Sequence, residues 1–228
     1  MGEESIIAFI EYIFPPRCAF CNTILKAGVP IYICEKCVGE IDYYKNSILS
    51  LNLPVGIQNY CDGILCVGRY SDCLKEAVRK FKFSNKSSYY RVFGKLLALK
   101  IENTRQLDSF DIIIPVPLYK SRQKQRGYNQ AELMAEQIAE TLKIPCGKNL
   151  LIKSSATKSQ SMLKRTERLL NLEDAFMVVN DGLIANKNIL LIDDILTTGS
   201  TVNQCCKTLK RAGAEKVIAG VIATTRNY

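Results

Sequence analysis

The chain has 228 residues, 47% of them apolar, with 31 Lys and Arg against 22 Asp and Glu, a formal net charge of +9. That length suits one large domain or a domain plus a small module, and the positive surplus favours polyanions such as nucleic acid, nucleotides or sugar phosphates. There is no His, which excludes imidazole acid–base chemistry and the commonest metal ligand. No run reaches the roughly 20 apolar residues of a membrane span. The start, MGEESIIAFIEYIF, is acidic and lacks the basic start of a secretory signal. A cytoplasmic protein without membrane insertion is expected.

Apolar residues at Ile6, Ile7, Ile10, Ile13 and Phe14 have helical spacing, ended by Pro15 and Pro16. Two CxxC pairs follow, Cys18 with Cys21 and Cys34 with Cys37, twelve residues apart. Each pair lets one tight turn aim two thiolates at one ion. Two such turns make a closed S4 site that suits structural Zn²⁺. A module of about 30 residues buries too little apolar surface to fold alone, so the metal is expected to stabilise it. The other six cysteines, Cys61, Cys66, Cys73, Cys146, Cys205 and Cys206, lack paired spacing. Cys205 and Cys206 are read as small core residues. Asn, Ser, Pro and Gly mark residues 45–60 as a linker. The expected organisation is an N-terminal helix and zinc module over 1–50 and a larger domain over 58–228.

That larger domain alternates strand and helix. GILCVGRY reads as a strand and Asp72 to Phe83 as a helix. In RKFKFSNKSSYYR (79–91), cations interleave with Phe81, Phe83, Tyr89 and Tyr90. Such a pattern suits stacking on single-stranded DNA, or core packing of the rings. YYRVFGKLLALKIEN is a second helix, and FDIIIPVPL is a continuous apolar strand of the kind parallel sheets bury. A basic stretch with Lys120, Arg122, Lys124 and Arg126 precedes Gly127, and Asn129 or Gln130 is placed to cap the helix YNQAELMAEQIAETLK. Residues 153–171 carry Lys153, Lys158, Lys164, Arg165 and Arg168 with few apolar anchors. AFMVVN and NILLIDD are strands, TVNQCCKTLKRAGA is a helix stopped by Gly213, and KVIAGVIATT is a last strand. The order implies an α/β fold with a mostly parallel sheet flanked by helices.

In such folds, ligands bind beyond the carboxyl ends of the strands. Asp193 and Asp194 stand there, followed by TTGST and a helix N-terminus whose free N–H groups and dipole favour an anion. Gly199 is expected to let the loop approach that anion, and Thr197, Thr198, Ser200 and Thr201 add hydroxyls. Carboxylates accept from vicinal hydroxyls and can hold Mg²⁺. A Walker B reading needs a GxxxxGK[ST] loop, which the chain lacks.

ILLIDDILTTGST (189–201) resembles the signature of type I phosphoribosyltransferases. PVPLYKSRQKQRGYNQAE (115–132), TKSQSMLKRTERLLNLEDAF (157–176) and the Cys pairs resemble the ComF family of phosphoribosyltransferase-like proteins tied to DNA uptake. The resemblance covers almost the whole chain, with one departure. Many members carry a second Cys-rich knuckle, whereas only one four-Cys set is clear here.

The resemblance implies that 5-phosphoribosyl-1-pyrophosphate binds with Mg²⁺. Asp193 and Asp194 would take the ribose hydroxyls, and Thr197, Thr198, Gly199, Ser200 and Thr201 the 5′-phosphate. Lys120, Arg126 and Gly127 would lie in the pyrophosphate loop. Lys158, Gln160 and Arg168 would sit on a closing loop, with Lys158 and Arg168 as the catalytic candidates. It also implies a role in natural transformation, with single-stranded DNA and a helicase of the competence machinery as partners. A nucleobase-salvage phosphoribosyltransferase and a non-catalytic nucleotide- or DNA-binding module are the alternatives. No acceptor pocket is legible.

Overall fold

Four apolar runs become one parallel sheet: β1 (Gly63–Arg69), β2 (Ile112–Pro115), β5 (Asn188–Leu196) and β6 (Lys216–Thr224), in the order β1-β6-β5-β2. The computed structural model describes residues 14–45, 48–83, 88–104, 110–153 and 175–228. The helix expected before Phe14 lies outside them. A short antiparallel ribbon pairs β3 (Leu151–Lys153) with β4 (Phe176–Val178). The helices are α1 (Glu35–Gly39), α2 (Asp72–Phe83), α3 (Tyr89–Asn103), α4 (Lys120–Arg126), α5 (Gln130–Leu142) and α6 (Ser200–Arg211). Among the described residues, no helix is long and apolar enough to cross a membrane.

Successive strand residues face opposite sides of a sheet, so one continuous apolar strand serves two cores. Leu190 and Ile192 join Ile113, Ile218 and Ile222 against residues of α2, α3 and α5. Ile189 and Leu191 join Val217, Ala219 and Val221 against Val202, Cys205, Cys206 and Leu209 of α6. Cys205 and Cys206 are therefore core residues, as their spacing implies. On the first face, α3 and α5 meet at Gly94, where a Cβ would stand 2.7 Å from Gln137 Cγ.

The Cys module belongs to that same first core. Cys18, Phe20, Ile33, Cys37 and Ile41 are buried together with Phe81 and Phe93. The Phe20 and Phe93 rings lie 6.1 Å apart. Tyr89 Oη donates to Ala19 O, and Lys95 Nζ donates to Pro30 O. Residues 48–60, part of the 45–60 stretch read from composition as linker, lie along the body. Leu49 bridges Ile64, Leu51 is buried, and Asn203 on α6 accepts from Tyr60 N and donates to Gln58 O.

Two local expectations change, and one open alternative is decided. The basic stretch at 120–126 is a short helix, closed by Gly127 at φ 80 with its N–H on Gln123 O. Residues 151–153 form a strand because β4 supplies a partner. Of the aromatics weighed for stacking on DNA, Phe81 and Tyr89 are core residues: Phe81 is fully enclosed and packs on Tyr89, Phe93 and Tyr128.

Phe93 contacts both the module and the body, so Phe93→Ala should cost about 3–5 kcal/mol of stability. Denaturant unfolding of the metal-loaded protein checks this, and a cost within experimental error would show that the module does not share the core.

Candidate functional site

The chain continues from β2 into α4 and α5 on one face, and from β5 into α6 on the other. Adjacent parallel strands that send their chains to opposite faces leave a crevice at their carboxyl ends. Pairing of β2 with β5 ends at Pro115↔Ile192, followed by one bond from Val116 N to Ile192 O of 2.8 Å. Pairing of β5 with β6 runs on to Leu196↔Thr224. Asp193 and Asp194 are thus still within the strand, four and three residues before the loop at Thr197, along an edge that β2 has left.

Strand alternation turns the two carboxylates to opposite faces. Asp194, on the α2 side, is 9% exposed and is met by Lys82 Nζ at 2.9 Å. Asp193, on the α6 side, is half-buried, and its Oδ1 accepts from Asp194 N at 2.8 Å. Burial pushes the Asp193 carboxyl up to about 7, with the Asp194 charge adding to the rise and Lys82 and Lys153 opposing it. Lys153 Nζ lies 3.5 Å from the centre of the Tyr119 ring and 5.0 Å from that of Phe176. Burial pulls its own pKa down. Two lysines from different elements therefore flank the acid pair.

After Leu196 the chain turns through Thr197, Thr198 and Gly199 into α6. Ser200 N donates to Thr198 Oγ1 at 3.4 Å, and the hydroxyls of Thr198 and Ser200 are 3.1 Å apart. Gly199 has φ 77, a conformation that favours glycine. A Cβ there would stand 2.5 Å from Leu51 Cδ1. The packing reason for this glycine thus lies on the side of Leu51 and Leu53. Arg226, just past β6, donates from Nε to Thr197 O at 2.7 Å and from its terminal nitrogens to Thr198 O and Asn52 O.

Of the expected pyrophosphate-loop residues, Gly127 caps α4 and Arg126 Nη1 donates to Gln130 Oε1 at 3.2 Å. Lys120 opens α4, its side chain outside the described residues. Asn129 caps α5 by accepting from Ala131 N at 3.1 Å and donates to Val116 O. Gln130 is buried against Phe81 O. Lys158, Gln160 and Arg168 lie outside the described residues.

Sequence reasoning missed Lys82, Tyr119 and Arg226, and read Lys153 only as one cation of the 153–171 stretch. Lys82 had a usable signal. It stands four residues after Val78 and next to Phe81, at the rim of the buried stripe of α2. A cation there must find a partner inward. Arg226 had no comparable signal, because its partners are backbone carbonyls.

The second cluster is the four cysteines. Their sulfurs all lie within 4.8 Å of one another, with Cys21 and Cys34 Sγ 3.6 Å apart. All four are free thiols. Zn–S bonds of about 2.3 Å at tetrahedral angles put sulfurs roughly 3.8 Å apart, so the set fits a metal ion such as zinc. Cys18 and Cys21 sit on a hairpin turn closed by Cys18 N to Thr23 O at 2.8 Å, with Asn22 at φ 67. Cys34 caps α1 and places Cys37 one turn on. Its own N–H donates to Cys18 Sγ at 3.4 Å. A hydrogen bond with Thr23 holds the Cys21 thiol down at about 6, while burial pushes Cys37 up. A bound cation favours the thiolate at all four positions.

A phosphoribosyl transferase domain model matches residues 128–228. The chain is 32% identical over 204 residues to competence protein F of Haemophilus influenzae, covering 88% of this chain and 86% of that protein. It is 34% identical over 144 residues to competence protein ComFC of Bacillus subtilis, covering 63% of this chain and 56% of the relative, about half its length. It is also 29% identical over 157 residues to the DNA utilization protein YhgH of Escherichia coli, covering 68% of each. Among solved structures it is similar to the glutamine phosphoribosylpyrophosphate amidotransferase of B. subtilis. That match has TM-score 0.44 and 22% identity over 59% of this chain and 26% of the enzyme. With a relative 32% identical over 88% of its length and a phosphoribosyl transferase domain model matching residues 128–228, the chain belongs to the ComF family of phosphoribosyltransferase-like proteins.

Proposed function

We propose that the chain binds 5-phosphoribosyl-1-pyrophosphate with Mg²⁺ at the carboxyl end of β5 and acts in the uptake and use of DNA. One observation carries this reading: Asp193, Asp194 and the Thr197–Thr201 turn share a crevice edge with a helix N-terminus. A ribose with two free hydroxyls and a 5′-phosphate matches both features. The carboxylates accept from the hydroxyls, and the loop amides and hydroxyls hold the phosphate. Lys120, Arg126 and Gly127 would face the pyrophosphate, and Lys158 and Arg168 would bring further cations to it. Hard carboxylate oxygens are the donors Mg²⁺ prefers, and the ion would neutralise charge on the departing pyrophosphate.

The transfer breaks the bond from ribose C1 to a pyrophosphate oxygen, which leaves with the bonding pair. A nitrogen nucleophile would then form the new bond at C1. Positioning and cation clamps dominate such catalysis, which suits a chain without His. Lys82 and Lys153 hold positive charge beside the acids and would orient them. The charge of +9 and the names of the relatives support contact with single-stranded DNA through the basic surface. A helicase partner rests on the family alone. The cysteine cluster would hold structural zinc, closing the module against Phe93.

Calorimetric titration of 5-phosphoribosyl-1-pyrophosphate with Mg²⁺ tests the ligand. Replacing two charge-assisted acceptors, each worth about 1.5–3 kcal/mol, should weaken binding at least about 100-fold in Asp193→Asn, Asp194→Asn. Unchanged affinity in that variant would move the ligand elsewhere, and no binding by folded wild-type protein would end the reading.

The raised pKa of Asp193 sets a pH dependence. A carboxyl raised in the folded state contributes stability below its ordinary value near 3.8, and this is lost as pH rises through the folded value near 7. Asp193→Asn should therefore melt above wild type by a margin that grows between about pH 4 and pH 7 and is level beyond. A margin independent of pH across that range would contradict the assignment.

Chelation supplies the test of zinc. A strong chelator should release about one equivalent of Zn²⁺, read by a colorimetric dye, and lower Tm cooperatively for the whole protein because module and body share a core. Zinc release with unchanged Tm would make the metal peripheral to the fold.

A further inference from the structure

Arg226 joins three segments that are distant in sequence. Beyond β6, Thr224 Oγ1 donates to Leu196 O at 2.9 Å and accepts from Arg226 N at 3.1 Å. Tyr44 Oη donates to Arg226 O at 2.7 Å. With its backbone held, the guanidinium spreads its donors over Thr197 O, Thr198 O and Asn52 O. A planar fork can satisfy three carbonyls at once, which an ammonium on a flexible stem cannot do with the same geometry.

The consequence follows from peptide planarity. In a trans peptide the C=O and the following N–H point to opposite sides of the chain. Drawing the carbonyls of Thr197 and Thr198 toward Arg226 turns the N–H groups of Thr198 and Gly199 away from it. Among the described residues, neither N–H has an acceptor. Two outward amides with a positive charge behind them, next to the N-terminus of α6, suit an anion. Asn52 ties the same guanidinium to the strap whose Leu51 lies against Gly199.

We propose that Arg226 is the positioning residue of the phosphate loop. It presents the Thr198 and Gly199 amides to the phosphate of a phosphoribosyl ligand without touching the phosphate itself. The proposal deepens the functional reading above and rests on it for the identity of the ligand. The probes are inorganic phosphate, followed by the backbone amide NMR shifts of Thr198, Gly199 and Ser200, and 5-phosphoribosyl-1-pyrophosphate with Mg²⁺. They are titrated into zinc-loaded wild type, Arg226→Ala, Arg226→Lys and Asp193→Asn, Asp194→Asn.

Both Arg226 variants should lose at least about tenfold in phosphate affinity, the scale of one charge-assisted hydrogen bond. The acid-pair variant should bind inorganic phosphate no more weakly than wild type while losing 5-phosphoribosyl-1-pyrophosphate, because its loop is intact and two nearby negative charges are gone. Thermal melting selects whichever Arg226 variant remains folded. Phosphate binding in the wild type with equal affinity in a folded Arg226 variant would overturn the role of Arg226, as would a wild-type loop whose amides do not respond to phosphate. Wild-type protein that binds phosphate at the loop but not 5-phosphoribosyl-1-pyrophosphate would overturn the ligand reading and leave Arg226 in place.

Discussion

Two adjacent carboxylates on a buried strand are the constraint around which this fold is arranged. Like charges a residue apart repel, and a parallel strand covered on both faces offers little water to screen them. The strand resolves the conflict by its own alternation. Asp194 turns to the α2 face and meets Lys82 at 2.9 Å, while Asp193 turns to the α6 face toward the field of Lys153. Asp194 thus has a direct ion pair from α2, whereas Asp193 feels the charges of Lys82 and Lys153 without a direct ion pair among the described residues. The remaining repulsion and burial appear as the raised pKa of Asp193. Removing one partner of such a pair leaves a buried charge uncompensated, so Lys82 and Lys153 are as much part of this strand end as the acids.

The loop beyond the acids depends on distant segments in the same way. Thr197 and Thr198 are held by Arg226 from the far side of β6, and Gly199 is covered by Leu51 from the strap. The strap is in turn pinned by Asn203 of α6. Upstream, Tyr44 reaches Arg226 O and packs edge-on against Tyr228. Tyr44, three residues past Ile41 of the core shared with the Cys module, thus reaches the backbone of the residue that holds the Thr197 and Thr198 carbonyls.

Much of this was legible in the sequence, and the boundary of legibility is physical. Continuous apolar runs such as FDIIIPVPL and NILLI announce buried parallel strands, because nothing else needs both faces apolar. The CxxC pairs announce their cluster because two residues is the span of one metal-binding turn. The acids and TTGST announce a crevice end. What stayed hidden was whatever long-range partners decide. β5 runs past Asp194 to Leu196 because β6 is there to pair with it. Residues 151–153 are a strand because β4 lies beside them. Phe81 and Tyr89 suit a stacking platform or a core equally in one dimension, and three dimensions make them core. The Arg226 guanidinium holds the backbone carbonyls of Thr197, Thr198 and Asn52, and every residue has a carbonyl, so no pattern of side chains points to it.

The pairing of Lys82 with Asp194 shapes any binding event at this edge. A nine-tenths-buried carboxylate already holding a cation need not be desolvated again when a sugar hydroxyl arrives, so part of the cost of binding is met in the fold. The lysine keeps Asp194 oriented along the crevice, and a carboxylate has lone pairs enough to hold Nζ and accept a hydroxyl together. Asp193 has only the Asp194 N–H bonded to its Oδ1 among the described residues and a pKa raised to about 7. It is the more sensitive of the two to whatever charge approaches. A cationic or hydroxyl-bearing ligand would stabilise its ionised form, and a second anion there would not. Under the proposed function, the same strand end would favour a ligand that brings hydroxyls and a counter-cation to the acids while leaving its phosphate to the Thr197–Thr201 turn.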